Sequence, residues 1–110
     1  MEGILVFLIM TNIRILRALE LISLKFQNRV LKLKGLVKGK NKDEYLEVII
    51  YKGFSSSTTH NINSDPEQII FELECKFTEC GLYEAPLSSG NNPIKTNKDI
   101  ILFLNEKNWN

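Results

Sequence analysis

Between Thr11 and Asn28 the apolar residues Ile15, Leu19, Ile22 and Phe26 recur every three or four positions, with Leu16 beside them. That is the spacing of one helix face, and it predicts a helix of about four turns. Thr11 or Asn12 offers a side-chain oxygen to cap the orphan amides at its start. Ile22, Leu24 and Phe26 also alternate as in a strand, but the longer window favours the helix. Ahead of it, "MEGILVFLIM" contains seven consecutive apolar residues, Ile4 to Met10, well short of the roughly 20 that a bilayer-spanning helix needs. Residues 1–10 therefore read as an apolar amino-terminal extension: a buried strand, a peripheral anchor, or residues preceding a true start at Met10. Residues 11–110 read as one small α+β domain.

From Arg29 onward the period shortens to two. Leu31, Leu33 and Val37 face one way and Lys32, Lys34 and Lys38 the other, then the polar "KGKNKD" leads to a return strand. There Leu46, Val48 and Ile50 continue the inward face, while Tyr45, Glu47 and Tyr51 line the outer one. Glu44 and Glu47 can pair with the facing lysines for a few tenths of a kcal/mol each. A third strand is expected in "QIIFELECKF", where Phe71, Leu73, Cys75 and Phe77 alternate with Glu72, Glu74 and Lys76. "GLYEAPLSSGNNPIKTN", punctuated by Pro86, Gly90 and Pro93, reads as loop. "NKDIILFLNEKNW" reads as a short helix capped by Asn97, with Ile100, Ile101, Leu104 and Trp109 packing on the sheet. The fold class expected is thus α+β: an amino-terminal helix, a three-stranded antiparallel sheet and a short carboxy-terminal helix.

Composition narrows the setting. At 110 residues and 44% hydrophobic, the chain can bury one core. Two cysteines do not make a disulfide scaffold, and no basic segment with a small-residue cleavage site marks a secretory signal, so a reducing compartment is expected. By alternation Cys75 points inward, whereas Cys80, next to Gly81, is expected to be exposed and open to oxidation. Asn, Ile and Lys supply 35 residues and Ala only two, a bias toward A/T-rich codons that suggests an organelle or an A/T-rich bacterium. The net charge of +1 hides a segregation: residues 1–42 carry nine basic and two acidic side chains, residues 43–110 five and eleven. Such a dipole suits a protein partner, RNA or an anionic membrane surface.

The densest chemistry lies in "YKGFSSSTTHNINSDPEQ". A hydrolase reading fails, because G-x-S-x-G would need a glycine where Ser57 stands, and no Walker A ending is present. No metal is expected either, since Cys75 and Cys80 are separated by four residues without a second ligand pair. No cofactor site is recognisable. What remains is an anion or docking loop made of Lys52, Gly53, Ser55, Ser56, Ser57, Thr58, His60 and Asp65, in which amides and hydroxyls surround a phosphate. The competing reading is architectural: the hydroxyls satisfy local backbone, Ser64 or Asp65 with Pro66 makes the bend, and Phe54 and Ile62 pin the loop to the core. A separate nucleic-acid face is offered by Arg29, Lys32, Lys34 and Lys38 with Tyr45 and Tyr51 as stacking surfaces.

"LRALELISLK", "EVIIYKGFSSSTTHNINSDPEQ" and "APLSSGNNP" resemble a small uncharacterised protein family of cyanobacteria and algal plastids. The signature falls on Lys52 to Ser57, then Asp65 and Pro66, with Asn92 and Pro93 as a weaker echo. The resemblance implies a plastid (stromal) setting, or the cytoplasm of a cyanobacterium, and transfers no catalytic residue. The expectation is accordingly a non-catalytic plastid protein associating with a larger protein assembly. The alternatives are RNA binding by the basic hairpin and anion binding at Gly53–Thr58; peripheral membrane contact through Ile4–Met10 is a further possible association.

Overall fold

The apolar run and the periodic segment after it form one continuous helix, α1, Glu2–Ser23. The structure is a computed structural model that describes residues 2–38, 41–59, 75–88 and 90–110, without the side chains of Glu2, Leu5 and Val6. The helix start expected at Thr11 is corrected: the Thr11 hydroxyl donates to the Phe7 carbonyl, 2.8 Å away, inside the helix. The phase explains the merger, because Ile9, Ile13, Leu16 and Leu19 keep one stripe toward the core, at spacings of four and three. The helix also stops before Asn28. Ser23 bonds back to the Glu20 carbonyl at 2.6 Å, and tight turns through Lys25 and Phe26 follow, a hydroxyl competing with the helical ladder.

Among the described residues the sheet has five strands, not three. These are β1 Arg29–Val37, β2 Glu44–Tyr51, β3 Phe54–Ser57, β4 Cys75–Glu84 and β5 Lys95–Asn97, in the order β3-β2-β1-β4-β5, every neighbouring pair antiparallel. The β1–β2 hairpin and its inward face are as expected. The two added strands are both edges. β3 arises because Lys52 (φ 50°) and Gly53 (φ 86°) both take left-handed backbone, the two-residue turn whose twist suits an antiparallel hairpin; Tyr51 then pairs with Phe54. β4 continues through "GLYE", which was expected to be loop, and β5 pairs with its far half. Residues 68–74 of the expected third strand lie outside the described residues. Its visible end agrees with the alternation: Cys75 and Phe77 pack against the core.

The main core cluster lies on one face of the sheet, while the buried Val30 and Tyr83 lie on the other. Leu31, Leu33, Val37, Leu46, Val48, Ile50 and Leu82 meet Ile13, Leu16 and Leu19 of α1. The carboxy-terminal segment closes the remaining side as two 3₁₀ turns, η1 Ile100–Leu104 and η2 Glu106–Trp109, rather than as one helix capped by Asn97. Asp99 caps η1 and Asn105 caps η2, their side chains accepting from the amides of Ile101 and Lys107. Two caps so close together divide the segment. The buried residues are consequently Ile100, Phe103 and Trp109, with Leu104 partly buried against the core as expected, while Ile101 is 56% exposed. The Trp109 ring stacks on Phe26 at 5.9 Å and meets Phe103 edge-on at 6.3 Å.

Candidate functional site

Several of the serine and threonine residues that suggested an anion cradle, Ser55, Thr58 and Thr59, are engaged within the fold. The Gly53 amide donates to Ser23 Oγ at 2.8 Å, and Ser55 Oγ donates to Glu20 Oε2 at 2.6 Å. Thr58 Oγ1 donates to Glu47 Oε1 at 2.9 Å, while Thr59 Oγ1 accepts from the Glu47 amide. Ser55 and Thr58 therefore each face a carboxylate, which opposes an incoming anion; the Gly53 amide and Ser55 tie the β2–β3 hairpin to the end of α1, while Thr58 and Thr59 tie to β2. A Cβ on Gly53 would lie 2.7 Å from Leu24 Cδ2, so glycine serves both the turn and the close approach to the helix end. Phe54 does not pin this corner to the core; it is 78% exposed. Ser56, opposite Ile49, is on the other side of the sheet, and Lys52 is exposed. His60, Ile62, Ser64, Asp65 and Pro66 lie outside the described residues.

Opposite α1, the sheet's second face carries the nucleic-acid candidates, but only some of them. Lys32 stands between Ile49 and Gly81, Lys34 between Glu47 and Glu79, and Leu36 between Tyr45 and Lys76. Tyr51 is on this face too, paired with Phe54. Arg29 is not: it shares the parity of Leu31 and Leu33, its Nη1 donates to the Asn28 carbonyl and its Nε is buried without a partner. Lys38 follows the end of β1 and lines a groove elsewhere. Alternation had not singled out Tyr83, although "CGLYE" contains the signal, with Leu82 in and Tyr83 out. The Tyr83 ring packs over Gly81, where a Cβ would come within 3.1 Å of Cε1, and Lys32 Nζ lies 4.9 Å from its centre. Tyr45 donates to Glu47 at 3.1 Å; partial burial first, and then that carboxylate, push its phenol above the ordinary value.

A groove of about 590 Å³ opens at one pole, between the amino half of α1 (Leu8, Thr11, Ile15), the β1 and β4 ends (Leu36, Lys38, Phe77) and η1 (Ile100, Ile101). Its rim carries Lys38 and Lys98 as well as Asp43 and Asp99. Asn12 braces one wall by donating to the Cys75 carbonyl at 3.0 Å. The amino half of the helix also exposes Ile4, Phe7, Leu8 and Met10, at 64, 68, 47 and 42%, of which Leu8 lines the groove. Sequence reasoning missed the groove because its walls come from segments far apart in the chain. Among the described residues, no helix is long and apolar enough to cross a membrane, and no group of three or more His, Cys, Asp or Glu side chains could hold a metal ion.

Cys80, expected to be exposed, is buried at 1%, with its Sγ 3.3 Å from the Asn97 carbonyl. Burial pushes both the Cys75 and Cys80 thiols up to about 11 from 9.0. Thiolate is the reactive form, so near neutral pH each thiol should be alkylated about 100-fold more slowly in the folded chain than in the urea-unfolded chain. A thiol-release assay on both states checks this, and equal rates would contradict the burial. The same shift makes the folded state hold these protons more tightly than the unfolded state. Its contribution to stability is complete below pH 9 and declines as the pH rises from 9 toward 11.

Comparison with curated proteins and with solved structures finds no match. A family model does match residues 16–102, a span from the middle of α1 through β5 into η1. The chain belongs to the family described as Domain of unknown function (DUF7734).

Proposed function

We propose that this chain is a non-catalytic plastid protein that docks onto a larger protein assembly through the pole where the amino half of α1 adjoins the groove. The observation that carries this reading is the concentration of exposed Ile4, Phe7, Leu8 and Met10 on the amino half of α1, with Leu8 lining a mainly apolar groove of about 590 Å³. A small monomer seldom leaves such a patch uncovered, and patches rimmed by polar groups mark interaction sites. Concavity favours a protein element over a lipid surface, since a bilayer is flat and cannot fill a groove. The mixed rim of Lys38, Lys98, Asp43 and Asp99 also favours a partner with its own fixed charges. Engagement of the Ser55 and Thr58 hydroxyls by Glu20 and Glu47, and of the Gly53 amide by Ser23, supports an architectural role for the serine-rich corner. The Asn, Ile and Lys bias supports the plastid setting.

The test is the sedimentation of the tagged chain in extract from its native compartment. A discrete heavy species should persist after nuclease and mild detergent treatment. Phe7→Asp combined with Leu8→Asp changes only exposed side chains, so the fold should survive while association weakens on the order of 30-fold, as for loss of a hot spot. Monomeric migration of the unsubstituted chain, or unchanged association of the double variant, would refute the reading. Flotation with vesicles in place of a protein complex would assign the pole to membrane contact instead.

A further inference from the structure

We infer that the face of the sheet opposite α1, open among the described residues, binds single-stranded nucleic acid. Bases would stack on Phe54 and Tyr51, and phosphates would meet Lys32, Lys34 and Lys52. The inference starts from the alternation of the strands, which places a cross-strand aromatic pair, Tyr51 and Phe54, at one corner of this face. On the neighbouring strands Val30 pairs with Tyr83, and both are buried, at 2 and 8% exposed. The row is closely packed, yet its outermost ring, Phe54, leaves 78% of its surface open. Neither burial nor a turn requires phenylalanine there, because the turn depends on Lys52 and Gly53.

Cations accompany the rings. Lys52 Nζ lies 5.2 Å from the centre of Tyr51, and Lys32 Nζ lies 4.9 Å from that of Tyr83. At Tyr51 this is the arrangement single strands use, with the ring taking the base and the flexible lysine reaching the backbone phosphate; Tyr83, 8% exposed, instead positions Lys32. Two carboxylates share this face, Glu47, which accepts from Thr58 and Tyr45, and Glu79; both stand beside Lys34 in the register, so Lys32 and Lys52 carry more of the attraction for phosphate. Duplex fits poorly, because its base faces are stacked and closed to aromatic side chains.

Fluorescence anisotropy with labelled oligouridylate and oligothymidylate of about 12 nucleotides, against a duplex of equal length, tests the inference. Both single strands, or RNA alone, should bind, and the duplex should bind more weakly. Three phosphate contacts would give a log–log salt slope near −2, a loss of roughly 20-fold between about 50 and 200 mM salt. Phe54→Ala should weaken binding about 5- to 150-fold, the range for loss of one stacked base. Lys32→Gln should lower the slope by about 0.7. Both changes are to residues outside the core, and Trp109 fluorescence reports that the fold is kept. Equal affinity for the two single strands would assign recognition to base faces and phosphates, and preference for RNA would add the 2′-hydroxyl; either result supports the inference. No binding at low salt, equal binding of duplex, or indifference to both substitutions would overturn it. The Phe7→Asp/Leu8→Asp variant should bind the oligonucleotides normally, which separates this face from the docking pole.

Discussion

Replacing Trp109 with alanine should lower the unfolding free energy by about 3–5 kcal/mol, the usual cost of emptying a large aromatic site in a core. Trp109 is fully buried although it stands next to the last residue. Its ring fastens η2 to Phe26 and to Phe103, and its Nε1 donates to the Phe103 carbonyl at 2.7 Å. Truncation thus removes stacking, leaves a cavity and orphans a carbonyl in the same place. Other ties on this segment are weak by comparison: the Lys25–Glu106 ion pair at 2.6 Å is between exposed side chains and contributes under about 1 kcal/mol. Urea unfolding followed by far-ultraviolet circular dichroism is the suitable measurement, because Trp109 is the sole tryptophan and its own fluorescence disappears with it. A loss below about 1 kcal/mol would mean that the end of the chain does not close the core.

Gly35→Ala should cost about 2–3 kcal/mol, at the upper end of overpacking effects. The register of β1 against β4 shifts between Lys34 and Gly35, leaving Thr78 as the extra residue of a bulge. A Cβ at Gly35 would collide with the Lys76 carbonyl oxygen. Backbone rather than a movable side chain stands in the way, so β1 and β4 must separate locally, next to the groove wall formed by Leu36 and Phe77. Urea unfolding monitored by Trp109 fluorescence measures the loss. A variant as stable as the unsubstituted chain would show that the two strands do not approach so closely.

The parts of this fold legible in the sequence are those governed by local period. Leu31, Leu33, Leu46, Val48 and Ile50 alternate over a long enough run to identify β1, β2 and their buried face. What escaped depends on partners distant in the chain or on a chemistry with two local meanings. Thr11 resembled a cap because it follows an apolar run, yet the same hydroxyl can satisfy a helical carbonyl one turn back, as it does with Phe7. Lys52-Gly53 lacks a clear hairpin-turn signal because lysine rarely takes positive φ, yet the turn that creates β3 requires it to do so. The serine cluster looked available because Glu20, which binds Ser55, is 35 positions away in sequence. Cys80 looked exposed beside Gly81, but β5 and Asp99 cover that part of β4. In the candidate sites, the lysine and tyrosine positions on the open face followed from alternation. The groove did not, since it exists only where α1, β1, β4 and η1 converge.

The claim that the pole docks a protein is tested most directly by a photo-crosslinking residue placed at Leu8, and separately at Ile101, in cells of the native host. Thr96, exposed on the other face of the sheet, is the control position. The account predicts one discrete protein adduct, the same from Leu8 and Ile101, absent from Thr96 and lost when Phe7→Asp is added to the Ile101 probe. Adducts that are indifferent to probe position, or lipid adducts alone from Leu8, would contradict it.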